Sequence, residues 1–347
     1  MYPRLIIDLK KFKHNASTLL KLCHSKGVSV AAVTKVFCAD PEMVKVLCEL
    51  DFEFLADSRL ENIEAYPKDH NKRTMLLRLP AISEAARVVQ SCDISLNSEI
   101  STLKALASAA TKRHGIILMI DLGDLREGIF HENAKLITEA INFIQEQENL
   151  LLEGLGVNLT CYGSVLPTNE NLQKLCDLAH DNVKIISGGN SSSLYLLENG
   201  KMPSEINNLR LGESIVRGVE TAFGKPFPGL EQDVITLEAE IIELMEKPSM
   251  PEGQIGINAF GETIQYEDIG IRKRAILAIG RQDMDCEGLE CSDPAISVIG
   301  SSSDHLIVDV TDSKKSLQVG DILTFKLTYG AILAGFTSKY LKRKHIF

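Results

Sequence analysis

The sequence predicts a (β/α)8 barrel followed by a mostly β C-terminal domain. Three observations carry that expectation. Up to about residue 215, short apolar runs recur every 20 to 30 residues, with amphipathic stretches between them. That alternation is the pattern of parallel strands with helices packed outside. About eight such units follow the first run, a number that closes a barrel better than it fills an open sheet. After about residue 225 the pattern becomes strands separated by Gly, Asp, Ser and Pro turns. The expected division is therefore 1–225 for the barrel and 226–347 for the β domain, with the N-terminal strand free to join the latter.

The runs, in order, are RLIIDL (4–9), VSVAAV (28–33), FEFLAD (52–57), RTMLLRL (73–79), CDISL (92–96), GIILMIDLG (115–123), LLLEGLGVNL (150–159), VKIISGGN (183–190) and NNLRLG (207–212). Between them PEMVKVLCEL, SEISTLKALASAATKR and HENAKLITEAINFIQEQE place apolar residues at three- and four-residue spacing, as helices do. In the second region ITLEAEIIELME, RAILAIG, AISVIG, HLIVDV and DILTFKLTYG read as strands, with little room for helices.

The net charge of -10 and the absence of long Lys/Arg clusters argue against nucleic acid as a partner. The one basic stretch, KYLKRKH, reads as a solvated tail. No apolar stretch approaches the roughly 20 residues that span a bilayer, and the N-terminus turns polar too early for a signal peptide. A cytoplasmic protein is expected, with most of its eight cysteines as core thiols and no metal centre.

In a parallel barrel, chemistry collects at the C-terminal ends of the strands. Those ends carry Lys35, Arg126 in DLGDLREG, 158–162 in NLTCY, 187–193 in SGGNSSS, and 210–213 in RLGE. SGGNSSS follows a strand and opens a helix, so its N–H groups and hydroxyls suit a phosphate; a Gly/Asn turn with a serine N-cap is the alternative. RLGES offers more N–H groups one strand later. Lys35 by itself reads as a solvated strand-end lysine. With a phosphate site across the mouth it reads as an amine held for imine formation with pyridoxal 5'-phosphate.

VTKVFCAD, DLGDLREG, SGGNSSS, LRLGES, AILAIGRQD and GSSSDHLIVDV, in that order, resemble the alanine racemase family over nearly the whole chain, and within it most the ornithine and lysine racemase group. The resemblance implies a pyridoxal-phosphate-dependent amino acid racemase, a homodimer whose partner β domain closes each barrel mouth. It makes Lys35 the Schiff-base lysine and one of two acid/bases. Asn190, Ser191, Gly212, Glu213 and Tyr340 would bind the phosphate, Asn158 would lie by the cofactor ring, and Arg210 would meet the ring nitrogen. Arg126 would take the cofactor's phenolic oxygen or the substrate carboxylate, with pairing to Asp124 or Glu127 as its alternative. Related barrel decarboxylases carry a glutamate where this chain has Arg210, so a racemase is preferred to a lyase. Non-catalytic carriers of the cofactor resemble the barrel alone.

Three positions depart from the family pattern. Met119 stands where many members have a lysine that is carbamylated and supports the arginine. Asn158 replaces a histidine. The tyrosine expected as second acid/base is missing from Gly280-Arg281-Gln282-Asp283. Its replacement is expected among Asp304 and His305, with Asp283, Cys161 and Tyr162 as alternatives. A diamino substrate would want a carboxylate for its distal amine, for which Glu213, Asp283, Asp285 and Asp304 are candidates; an alanine or serine racemase would need none.

Overall fold

In the computed structural model, which describes residues 1–179 and 183–347, the first strand folds with the last part of the chain. One unit comprises Met1–Asp8 and Asp233–Phe347, the other Leu9–Gln232. The division thus falls after residue 232 rather than 225. The intervening segment is fastened to the barrel's first helix, Leu9–Ser25: buried Asn15 donates to Glu231 O at 2.8 Å and accepts from Glu231 N at 2.8 Å.

The N-terminal strand is β1 (Arg4–Asp8). The barrel unit contains β2 (Ser29–Val33), β3 (Phe54–Asp57), β4 (Arg73–Leu76), β5 (Ile94–Asn97), β6 (His114–Asp121), a two-residue ribbon β7 (Ile129–Phe130), β8 (Leu150–Gly156), β9 (Ile185–Ser187) and β10 (Asn208–Leu211). Leaving β7 aside, eight strands pair in parallel, and β10 returns to β2 to close the cylinder. Parallel strands covered on both sides are apolar throughout, and all eight residues of β6 are buried. The interior is built from alternate residues: Ala31 and Val33, Phe54 and Ala56, Ile94 and Leu96, Ile117 and Met119, with Met75 and Ile185. The amphipathic stretches form helices at Pro41–Cys48, Ile100–Ala109 and Ala134–Glu146. The first is started by Asp40, which accepts from Glu42 N at 3.2 Å and Met43 N at 3.4 Å ahead of a proline at N1.

The β unit holds β11 (Ile235–Pro248), β12 (Ile271–Leu277), β13 (Leu289–Cys291), β14 (Ser297–Ser301), β15 (Leu306–Asp309), β16 (Ile322–Leu327) and β17 (Lys342–Ile346). β11 is central, antiparallel to β1, β12 and β16. Two expectations are corrected here. The basic stretch is not a tail: Lys342–Ile346 runs parallel to β1. Its side chains are largely exposed, and an edge strand of lysine and arginine is a common guard against stray pairing. The run DILTFKLTYG also ends as a strand at Leu327, where Thr328 caps a helix, Tyr329–Thr337. Among the described residues no helix is long and apolar enough to cross a membrane.

Candidate active site

Lys35 follows β2 in a short 3-10 turn, Lys35–Phe37. Its amine has no hydrogen bond or ion pair among the described residues. Burial holds the amine below the ordinary lysine range and the Arg126 charge pushes the same way, against Cys161, Asp57 and Glu127. Behind the turn lies a buried polar trio. The Tyr66 hydroxyl donates to Thr34 at 2.8 Å, and Thr34 donates to Asp57 Oδ2 at 2.5 Å. Asp57 Oδ1 accepts from Arg59 N at 2.9 Å and Asn62 Nδ2 at 3.0 Å. Burial nevertheless raises the Asp57 carboxyl above its usual range. The trio fixes the end of β2 to the end of β3, and with it the root of Lys35.

The loops after β6 and β8 are stitched together by Asp124. Its carboxylate accepts from the N–H groups of Cys161 (3.1 Å), Tyr162 (2.9 Å) and Val165 (3.1 Å). Arg126 therefore finds its partner in Glu127: Nη2 donates to Oε1 at 2.6 Å, and Nε donates to Oε2. Asn158 joins this pair to the barrel wall. Its amide nitrogen donates to Glu127 Oε1, and its oxygen accepts from Arg210 Nη2 at 2.8 Å.

Arg210, on β10, is 3% exposed and also donates to Ser187 Oγ and, at 2.5 Å, to Val157 O. Burial brings it down to about 10, so it keeps its proton at neutral pH. Met119 is fully buried in the barrel interior.

The two glycine-containing loops meet. Ser191 and Ser214 hydroxyls are 3.0 Å apart, and Ser214 N donates to Ser191 Oγ. The Asn190 side chain serves its own loop, accepting from Ser192 N at 2.8 Å and donating to Leu159 O at 3.1 Å. Glu213 is likewise engaged by Arg217 through its carboxylate. What remains for a ligand is the backbone at 190–191 and 212–213, with the hydroxyl of Ser192, which is buried and unpartnered among the described residues. Gly189 has φ +108, a conformation that favours glycine, and a Cβ on Gly212 would stand 3.0 Å from Val33, tight enough that Val33 would have to give way.

In the β unit, the turn at 280–283 and the turn at 302–305 pack backbone to backbone, with Arg281 N donating to Ser302 O at 2.9 Å and Gln282 N to Ser303 O at 3.0 Å. Asp283, Asp304 and His305 are therefore brought together. Asp283 closes its own turn by accepting from Gly280 N at 2.8 Å, whereas Asp304 and His305 are exposed. Arg281, in place of the expected tyrosine, is clamped by Glu262 at 2.9 and 3.1 Å and stacked on Phe260 at 4.3 Å. Tyr340 is half exposed just ahead of β17. A cavity of about 510 Å³ is lined by Arg281, Asp283, Asp285, Glu287, Thr337 and Ser338, among others.

The family described as alanine racemase, N-terminal domain, matches residues 7–218. The chain belongs to the alanine racemase family. It is 49% identical to an ornithine racemase of Acetoanaerobium sticklandii, with 99% of each chain covered, and 38% identical to a lysine racemase of Thermotoga maritima, covering 99% of this chain and 98% of that one. The fold is that of the alanine racemase of Bartonella henselae solved with covalently bound pyridoxal phosphate, at 19% identity, TM-score 0.74 and 100% of both chains. The enzyme from the D-cycloserine producer Streptomyces lavendulae superposes at TM-score 0.73, with 16% identity and 99% and 97% coverage.

Within that family frame, the sequence reading left out Glu127, Ser192 and the Thr34–Asp57–Tyr66 trio. Glu127 was visible only as a neighbour in DLREG that would neutralise Arg126. Nothing in the local pattern showed that Asn158, 31 residues later, closes on the same carboxylate. Asp57 ends an apolar run as Lys35 does, and that shared signal of a charge ending a buried strand would have found it.

Proposed function

We propose that the chain is a pyridoxal 5'-phosphate-dependent racemase of a diamino acid, ornithine or lysine. It is an amino acid racemase by its family and its full-length relatives. The observation that carries the cofactor is an unpaired, partly buried amine, Lys35, at the same barrel mouth as a buried, protonated guanidinium, Arg210. The donor set fits the group. A Ser192 hydroxyl without a partner among the described residues and two glycine-containing loops suit its phosphate, Lys35 its aldehyde, and Arg210 its ring nitrogen.

When bound, the cofactor withdraws electrons from the substrate's α-carbon and so acidifies the C–H bond there. The protein supplies the rest. Lys35, its amine less basic than an ordinary lysine, takes or returns the α-proton on one face. Arg210 would face the ring nitrogen as a donor that keeps its proton, which would limit electron withdrawal and favour proton return over side reactions. Arg126 receives the substrate carboxylate or the phenolic oxygen. The backbone at Asn190, Ser191, Gly212 and Glu213 would hold the phosphate, and Asn158 orients Arg210. The acid on the opposite face is assigned to Asp304 or His305 of the partner subunit in a cytoplasmic homodimer, with Asp283 toward the distal ammonium.

Incubating the purified, cofactor-loaded protein with single L-amino acids and resolving the products on a chiral column tests the reading. D-ornithine or D-lysine is the expected product; decarboxylated amines, or no D form from any substrate, would refute it. Mixing Lys35→Ala protein with an inactive Asp304 or His305 variant tests the shared site, because hybrid dimers regain activity only if the two groups lie on different chains.

A further inference from the structure

Glu127 is a carboxylate of the β6 loop that grips a cation on its own loop and an amide on the loop after β8. Its Oε1 accepts from Arg126 Nη2 at 2.6 Å and from Asn158 Nδ2, and its Oε2 accepts from Arg126 Nε. Its side chain is only 14% exposed, against 40% for Arg126. Through Asn158 it reaches Arg210, giving a continuous line Arg126, Glu127, Asn158, Arg210. The turn that carries it is fixed on both sides. Asp121 accepts from Gly123 N at 2.8 Å and Leu125 N at 3.2 Å, and Gly128 has φ +124 with no room for a Cβ against Asp121 N at 2.5 Å. β6 itself gives Arg126 no polar support, since Met119 is fully buried among apolar neighbours.

We propose that Glu127 is a positioning residue: it grips the Nε–Nη2 edge of Arg126 and the amide of Asn158, so that the remaining Nη1 edge of Arg126 is presented to a substrate carboxylate. A guanidinium has a planar fork of five N–H donors. Committing one edge to a bidentate carboxylate removes the freedom of a long side chain and leaves the other edge aimed. The same carboxylate fixes which way round the Asn158 amide stands, because its nitrogen must donate to Glu127 and its oxygen accept from Arg210. Glu127 also sets a negative charge among three cations, Lys35, Arg126 and Arg210, with Cys161 beside them and Asp57 on the far side of Lys35. The identity of the anion rests on the racemase reading; the positioning itself does not.

The test is equilibrium binding of propionate, a carboxylate that has no amine to react, to cofactor-loaded wild type, Glu127→Gln, Arg126→Lys and the double variant. Gln keeps the shape but loses the charge and one acceptor. Propionate should bind about tenfold more weakly to Glu127→Gln and to Arg126→Lys, and the double variant should be little weaker than either, as two residues acting through one contact require. Thermal melting should move little, and Glu127→Asp should recover part of the loss. In the cofactor-free protein, Glu127→Gln should lower the Lys35 amine further, read by the pH dependence of its reductive methylation. If Glu127→Gln binds propionate as tightly as wild type, or if its loss adds fully to that of Arg126→Lys, the proposal is overturned. Weakened propionate binding in a protein that racemises nothing would leave the positioning intact and refute the reading of the reaction instead.

Discussion

The two ends of the barrel use the same residue types to opposite ends. At the floor, where strands begin, charges are answered from strands one to three places round the barrel. Arg73, opening β4, holds the nearly buried Glu153 of β8 at 2.5 Å; Asp93 accepts from Thr74 N and Oγ1 at 2.8 and 2.9 Å; His114, opening β6, lies 2.7 Å from Ser95 Oγ. At the mouth, charges are joined into a line from Arg126 to Arg210, yet among the described residues Lys35 is left without a partner and the Ser192 hydroxyl without a donor or acceptor. Among the described residues the floor is paired except at the buried His114 Nδ1, whereas at the mouth pairing stops short around Lys35 and Ser192. A lysine amine without a partner among the described residues, at the end of a barrel where chemistry collects, suits a ligand, while the floor supplies stability.

Mutation separates the two ends. Lys35→Ala should have the largest effect on activity and almost none on stability, since the amine holds nothing: racemisation should fall at least about a thousandfold with the melting temperature unchanged. A large loss of stability would mean that Lys35 belongs to the structure and not to the chemistry. Arg210→Gln should damage both. It leaves Val157 O and Asn158 Oδ1 short of donors, costing about 2 kcal/mol by chemical denaturation, and it should slow racemisation by about a hundredfold with transamination products appearing. A glutamate there would set carboxylate against carbonyl, so glutamine is the cleaner replacement.

The floor should instead reveal itself through pH. Burial lowers His114 to about 4 from 6.5, so the folded state keeps the ring neutral while the unfolded chain protonates it. That contribution is complete above pH 6.5 and is eroded as the pH falls to about 4, for a total of about 3 kcal/mol. Denaturant titrations across that range should show the loss, and His114→Asn should flatten it while leaving neutral-pH activity within about twofold. A pH profile of stability unchanged by the substitution would mean that other groups govern acid unfolding.

The sequence exposed the barrel because its strands are buried on both faces and so read as unbroken apolar runs; β6 is the extreme case. It exposed Lys35 and Arg210 for the same reason, as cations at or within such runs. It concealed β17, because an edge strand with exposed side chains has a solvated composition, and its identity lies in backbone pairing with residues 4–8, more than 300 positions away. It concealed the helix Tyr329–Thr337, whose two glycines resemble turn punctuation. Glu127 was concealed by being adjacent to Arg126. Such a neighbour reads as a local ion pair, and only the fold brings Asn158 and Arg210 onto it.

If the cofactor attaches to the Lys35 amine at the mouth, a reducing agent will lock it there. Loading the protein with pyridoxal 5'-phosphate, reducing with borohydride and mapping the peptides by mass spectrometry tests it most directly. The account predicts a single phosphopyridoxyl adduct on Lys35, absent from Lys35→Ala protein. An adduct on another lysine, or none on wild type under conditions that saturate the site, would contradict it.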